Sequence, residues 1–112
     1  MKNSDENFFE KVYRITKTIP SGRVTTYGAI ARCIGAPGAS RMVGWALNNC
    51  HTLDEFMPAH RVVNRNGLLT GKNHFRHPDM MQELLESEGI KIHNDQVFNF
   101  KELFWDPYYN LI

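Results

Sequence analysis

Residues 25–49 read TTYGAIARCIGAPGASRMVGWALNN, and the organisation of the whole chain turns on them. Tyr27, Ile30, Ala31 and Ile34 recur at helical spacing, with Thr25 or Thr26 in place to cap the first turn. Gly35-Ala36-Pro37-Gly38 cannot continue that helix and makes a turn. A second helix is predicted from about Ala39 to Asn49, with Met42, Val43, Ala46 and Leu47 as its apolar stripe. Two short helices joined by a glycine-containing turn satisfy the helix-turn-helix motif, whose second helix enters the major groove of DNA while the first crosses the backbone. An ordinary helical hairpin in a small bundle has the same signature, and periodicity alone does not separate the two.

Upstream, Phe8, Phe9, Val12, Ile15 and Ile19 predict a helix from about Ser4 to Ile19, with Ser4 as N-cap and Asp5 and Glu6 in its first turn, ended by Pro20-Ser21-Gly22. Downstream, Leu53 to His77 is rich in Pro, Gly, Asn, Arg and His without a sustained period. It reads as a long functional loop with extended pieces around Arg61 to Val63 and Leu68 to Leu69. Pro78 then opens a helix to Glu88, with Met81, Leu84 and Leu85 inward and Gly89 just past its end. Val97 to Phe100 suggests a strand, and Leu103 to Tyr109 an aromatic tail packed on the core or offered to a partner.

With 112 residues and no repeat or linker, one domain spanning 1–112 is expected, mainly α. Apolar residues make up 42% and charged residues 22%, ordinary globular values. No apolar run is long enough to cross a bilayer, so no membrane role is expected, and residues 1–10 lack the apolar core of a secretory signal. Two cysteines make neither a disulfide framework nor a zinc knuckle, which points to the cytoplasm. The net charge of +1 argues against a polyanionic partner until charge is placed by position. Between Ser21 and His77 stand Arg23, Arg32, Arg41, Arg61, Arg65, Lys72 and Arg76 against Asp54 and Glu55, while the flanks are acidic. A basic middle between acidic ends points to nucleic acid better than the total does, unless the arginines scatter over the surface.

Six segments then occur together: Ile19-Pro20-Ser21-Gly22-Arg23-Val24-Thr25-Thr26-Tyr27-Gly28-Ala29-Ile30-Ala31, Gly35-Ala36-Pro37, Ala39-Ser40-Arg41-Met42-Val43-Gly44, Pro58-Ala59-His60-Arg61-Val62-Val63, Asn66-Gly67-Leu68-Leu69-Thr70-Gly71 and Leu84-Leu85-Glu86-Ser87-Glu88-Gly89. In this order and near this spacing they resemble the DNA-binding domain of the methylguanine-DNA alkyltransferases. The resemblance implies a winged helix-turn-helix that binds the minor groove, flips a damaged guanine and takes its alkyl group onto a cysteine in Pro-Cys-His-Arg. Flipping is needed because the alkylated atom lies inside the duplex. Arg41 then resembles the finger that replaces the extruded base, and Tyr27 the tyrosine that helps rotate the nucleotide outward. Ala39, Ser40, Arg61, Arg65 and Lys72 join them as expected DNA contacts. Tyr27, Ala59, Val62, Leu69, Thr70 and Gly71 are the expected lesion pocket. The family's asparagine before the loop aligns with Asn48 or with Asn49.

At the acceptor position of that pattern stands Ala59, whose methyl group has no lone pair with which to attack. His60 and Glu88 match the residues that assist thiolate formation but have no thiol here to activate. For His60 this leaves a bracing role in the pocket wall or contact with the flipped nucleotide. No catalytic residue, metal or cofactor is expected. His74 and His77 have metal-like spacing without an evident third ligand. Cys33 is expected to pack as a small hydrophobe, and Cys50 to sit near a helix C-terminus whose dipole disfavours thiolate. The expectation is therefore an alkyltransferase-like reader of alkylated guanine in double-stranded DNA that passes the lesion to nucleotide excision repair. It lacks the enzyme's extra domain and acts as a monomer in the cytoplasm or nucleoid. The alternatives are a divergent alkyltransferase using Cys50 or Cys33, and a sequence-specific helix-turn-helix regulator.

Overall fold

The computed structural model describes residues 6–53 and 55–111, of Thr52 the backbone alone. Helix α1, Phe8–Thr16, starts at Asn7, whose side chain accepts from the Glu10 amide while the Glu10 carboxylate accepts from the Asn7 amide, both at 2.9 Å. This reciprocal cap satisfies two amides that the helix itself leaves without partners. The expected cap Ser4 and first-turn Asp5 lie outside the described residues, and Glu6 precedes the helix. The helix also stops short of Ile19. The Ile19 amide turns back to the Thr16 carbonyl at 3.2 Å, as suits a residue that Pro20 disfavours in helical geometry.

A two-residue strand β1, Thr25–Thr26, leads into α2, Tyr27–Ile34, through the Thr26 hydroxyl, which accepts from the Ala29 amide at 3.0 Å. Gly35 closes α2 at φ +93°, a conformation that a side chain would strain, and α3, Ser40–Asn48, follows. Helices α1, α2 and α3 pack together, and the Tyr13 hydroxyl donates to the Ala46 carbonyl at 2.7 Å. The expected helix-turn-helix is therefore present.

Strand β2, Val62–Val63, pairs in parallel with β1, Val62 opposite Thr25 and Val63 opposite Thr26. Alternate strand residues face opposite sides, and here each side has its own core. Val62 packs with Val12, Ile15, Ile30, Val43, Leu47 and Trp105, whereas Val63 packs with Val24, Leu69, Met81, Leu85, Ile90 and Val97. The second core rests on α4, Met80–Ser87, which begins just past Pro78 with Asp79 as its N-cap; Met81 and Leu85 are buried, Leu84 partly.

The wing is a hairpin of β3, Ile92–His93, and β4, Gln96–Val97. Asn94 and Asp95 turn it at φ 52° and 62°, the paired positive values of a tight hairpin turn. Leu68 bridges Gln96, so the predicted extended piece at Leu68 becomes the wing's third edge. The predicted strand from Val97 to Phe100 ends at Val97. Asn99, at φ 62°, reverses the chain into α5, Phe100–Leu103, so Phe100 is helical. Beyond it, α6, Pro107–Asn110, packs against α2. Trp105 enters the first core, while Tyr108 and Tyr109 stay exposed. No helix is long and apolar enough to cross a membrane among the described residues.

One carboxylate joins the remote parts. Glu88, just after α4, accepts from Arg61 Nε at 3.0 and 3.1 Å, from Arg61 Nη2 at 2.6 Å, from the Gly22 amide at 3.4 Å and from His60 Nε2 at 2.8 Å. Arg61 Nη1 completes the tie by donating to the Ile19 carbonyl at 2.8 Å. Although burial works against the charge, Arg61 and His60 hold the Glu88 pKa down at about 2. His60 is buried, and that burial lowers its pKa despite the Glu88 charge beside it. At neutral pH an ionised Glu88 therefore faces a neutral His60, which must carry its proton on Nε2.

Two outcomes follow for stability. Thr25 is fully buried and its hydroxyl has no hydrogen-bond partner among the described residues, so Thr25→Val should stabilise the fold by about 1 kcal/mol and raise Tm by roughly 4 °C. An unchanged or lower midpoint in chemical denaturation would show that the hydroxyl is satisfied. Glu88 and His60 both have depressed folded pKa values, so each contributes stability that is present above its ordinary pKa and lost as pH falls. Unfolding free energy should decline below pH 6.5 through His60, and again between 4.5 and about 2 through Glu88. Glu88→Gln should cost on the order of 2–3 kcal/mol and flatten the lower decline. An equally steep acid profile in that variant would remove Glu88 from this role.

Candidate nucleic-acid interface

Helix α3 presents Ser40, Arg41, Met42, Trp45, Asn48 and Asn49 outward, and the indole of Trp45 is 53% exposed. Ala39 precedes the helix with no side-chain cap, and its first turn holds no acid, so free amides and the positive dipole end face solvent next to Arg41. On the inner side, a β-carbon added at Gly44 would meet the Tyr27 ring at 4.0 Å, so α3 approaches that ring closely. The helix thus has one outward face of cation, thioether, indole and amides.

Placement sorts the seven cations of the basic middle. Arg23 donates to the carbonyls of Leu103 and Phe104 at 2.9 and 2.8 Å, and Arg32 pairs with Asp106. Arg61 corrects the expectation of a DNA contact: its Nε, Nη1 and Nη2 all donate inward and its side chain is 13% exposed. Lys72 holds the wing residue Asp95 at 2.7 Å, so its charge is already paired. Arg41, Arg65 and Arg76 remain exposed and, among the described residues, without an ion pair. The polyanion signal therefore narrows from seven charges to three.

Behind α3 lies a cleft lined by Tyr27, Leu47, Asn48, His51, Ala59, Gly71, His74, Phe75 and Met81, with only about 10 Å³ of free space. Tyr27, Ala59 and Gly71 meet there as expected. The approach is so close that a β-carbon on Gly71 would stand 2.9 Å from the Tyr27 hydroxyl. Burial raises the Tyr27 pKa, so the hydroxyl stays protonated, with Thr70 beside it on the exposed rim. Val62 and Leu69 correct the sequence reading, because each is spent on a core, Val62 in the first and Leu69 in the second. Asn48 lines the cleft, while the Asn49 amide donates to the Trp45 carbonyl at 2.9 Å. Sequence reasoning missed His51, His74 and Phe75 as walls, although for the last two the basic run around a single aromatic, Lys72-Asn73-His74-Phe75-Arg76-His77, was a visible signal.

No thiol lines the cleft among the described residues. Ala59 presents a methyl group, and His60 turns to Glu88. Cys33 and Cys50 are outside the lining, and burial raises the pKa of both thiols. Cys50 stands just past the C-terminal end of α3, as expected, and burial raises its pKa. No group of three or more metal-ligating side chains occurs among the described residues.

Residues 7–90 match the family described as 6-O-methylguanine DNA methyltransferase, DNA binding domain. The chain is 34% identical to alkyltransferase-like protein 1 of Schizosaccharomyces pombe, over 91% of this chain and 97% of the relative. It is equally identical to a DNA base-flipping protein of Escherichia coli, over 91% of this chain and 77% of that one. The structure of the S. pombe alkyltransferase-like protein in complex with damaged DNA containing O6-carboxymethylguanine superposes with a TM-score of 0.77 at 35% identity, covering 88% of this chain and 94% of that one. A helix-turn-helix with a wing, a tyrosine-walled cleft behind its second helix and these likenesses agree: the chain belongs to the methylguanine-DNA methyltransferase family, in its DNA-binding domain.

Proposed function

We propose that this chain reads alkylated guanine in duplex DNA without repairing it. Helix α3 enters the minor groove, Arg41 fills the stack, and the flipped base occupies the cleft between Tyr27 and Ala59, from which the lesion passes to nucleotide excision repair. The observation that carries this reading is a cleft behind α3 in which Tyr27 and Gly71 meet Ala59, a methyl group where the family resemblance leads one to expect the acceptor thiol. The S. pombe relative's complex with DNA containing O6-carboxymethylguanine supports the choice of ligand.

At about 10 Å³ the cleft cannot take a purine as it stands, so the segments around His51 and His74 must part on binding. Unstacking and opening both cost free energy, and that cost is lowest for a base that is already badly paired. Alanine leaves more room than cysteine beside the O6 substituent, which suits groups larger than methyl. Arg65 supplies a phosphate contact, while Lys72 does so only if it gives up Asp95.

The test is a titration of labelled duplexes by fluorescence anisotropy. A duplex with O6-methylguanine should bind at least about tenfold tighter than its guanine counterpart, a difference of about 1.4 kcal/mol. Arg41→Ala should remove most of that preference, whereas Arg65→Gln should weaken both duplexes alike and lower the salt slope by about one. Equal affinity of the wild type for the two duplexes would overturn the reading. So would radiolabel from the methyl group appearing on Cys50, on Cys33 or in solvent.

A further inference from the structure

The cleft beside Ala59 continues beyond its own walls. His51, His74 and Phe75 are shared with a second hollow of about 340 Å³, completed by Arg76 and Met80. Three of its five lining side chains are basic, and no carboxylate lines it. Arg76 is exposed and, among the described residues, has no ion pair. His51 stands edge-on to Phe75 at 5.2 Å between ring centres, and neither His51 nor His74 has an acidic partner among the described residues. The acids nearest in sequence, Asp79 and Glu83, are outside the lining, and Glu83 lies 3.7 Å from His77. A hollow with three basic side chains and no carboxylate in its lining thus lies on the other side of the His51, His74 and Phe75 wall of the cleft.

We propose that this hollow receives the outer end of the O6 substituent, and that Arg76, with His51 and His74, selects adducts ending in a carboxylate over neutral adducts of the same size. The inference rests on the reading of the cleft given above. An anionic tail is repelled by the DNA phosphates and loses hydration on entering a pocket, so it binds well only where cations replace that hydration. A guanidinium presents parallel donors that match a carboxylate, and a charge-assisted hydrogen bond is roughly twice as strong as a neutral one. Methyl is too short to reach past Phe75, so its binding should be indifferent to these residues.

Four otherwise identical duplexes decide the matter, carrying guanine, O6-methylguanine, O6-carboxymethylguanine or O6-carbamoylmethylguanine. The last is the near-isosteric neutral amide. At one fixed salt concentration the wild type should bind the carboxymethyl duplex about tenfold tighter than the carbamoylmethyl duplex. Arg76→Gln should bring that ratio near one while leaving the preference for methylguanine over guanine at its wild-type value. Arg76→Lys should keep part of the carboxymethyl preference. A wild-type ratio of one, or a ratio that Arg76→Gln leaves unchanged, overturns the inference while the lesion-reading function stands. Equal weakening of all four duplexes by Arg76→Gln makes that residue a phosphate contact and likewise overturns it. Loss of the wild-type preference for methylguanine over guanine would overturn the underlying reading, and this inference with it.

Discussion

The carboxylate of Glu88 is the one group on which the rest of the arrangement depends. It gathers the end of α4, the turn at Gly22 before the helix-turn-helix, and the His60-Arg61 pair that leads into β2. These segments are far apart in sequence, and among the described residues the only strand pairing between the first half of the chain and the loop carrying Ala59 is the two-residue ladder of β1 with β2. So short a ladder is marginal alone. The ion pair locks its register by tethering Arg61, the residue immediately before Val62, to the Ile19 carbonyl as well. With that register held, Val62 and Val63 each face the correct core, and Ala59 is set against the cleft.

This dependence gives the His60–Glu88 pair a reason to be built as it is without a thiol to activate. In the alkyltransferases that this chain resembles, the matching pair serves chemistry. Here the same contacts hold a neutral imidazole in one tautomer and keep a buried charge partnered. Removing one partner would leave the other charged or polar group without compensation in a poorly hydrated place, which costs more than the pair contributes when intact. A chain with alanine at position 59 therefore still depends on the pair, because the pair sets the loop's position. Arg61 makes the same point from the sequence side. It is a cation in a basic block, and its charge is spent on internal order.

What the sequence disclosed follows the physical range of each signal. Helices α2 and α3 were legible because eight or nine residues show a full amphipathic period and the Thr26 cap and Gly35 stop have local causes. The wing was not legible, since strands of two residues contain no alternation to read and their pairing is non-local. The Asn94-Asp95 turn was its one local trace. Tyr27, Ala59 and Gly71 were placed in one cleft through family resemblance, whereas Val62 and Leu69 were placed there wrongly. A valine or leucine in a loop-rich stretch serves a core or a pocket equally well by composition, and only the side of the ladder it faces decides. His51 and His74 come from opposite ends of the long loop, so nothing short of the fold could pair them.

The closed cleft sets how such a protein must discriminate. An enzyme that transfers the alkyl group can correct a loose first encounter, because only the damaged base reacts and the covalent step is irreversible. A reader has no such step, and its whole selectivity must reside in the difference between the binding free energies of damaged and normal DNA. Contacts made equally with both, such as phosphate contacts, raise affinity without contributing to that difference. The apparatus that reaches into the duplex must therefore be coupled to contacts available only to the altered base. In this fold the two are adjacent in space: Asn48 belongs both to the outward face of α3 and to the cleft wall, while Gly44 of the same helix faces the Tyr27 ring. On the proposed reading, opening the cleft to admit a base would disturb the helix that contacts DNA, so a guest that fills the opened space would also secure the groove contacts. The cost of opening weighs against every base alike, and only contacts beyond those of guanine can offset it selectively. A nearly closed resting cleft lowers affinity for damaged and normal bases by the same factor, so on the proposed reading discrimination rests on the contacts that only the altered base makes.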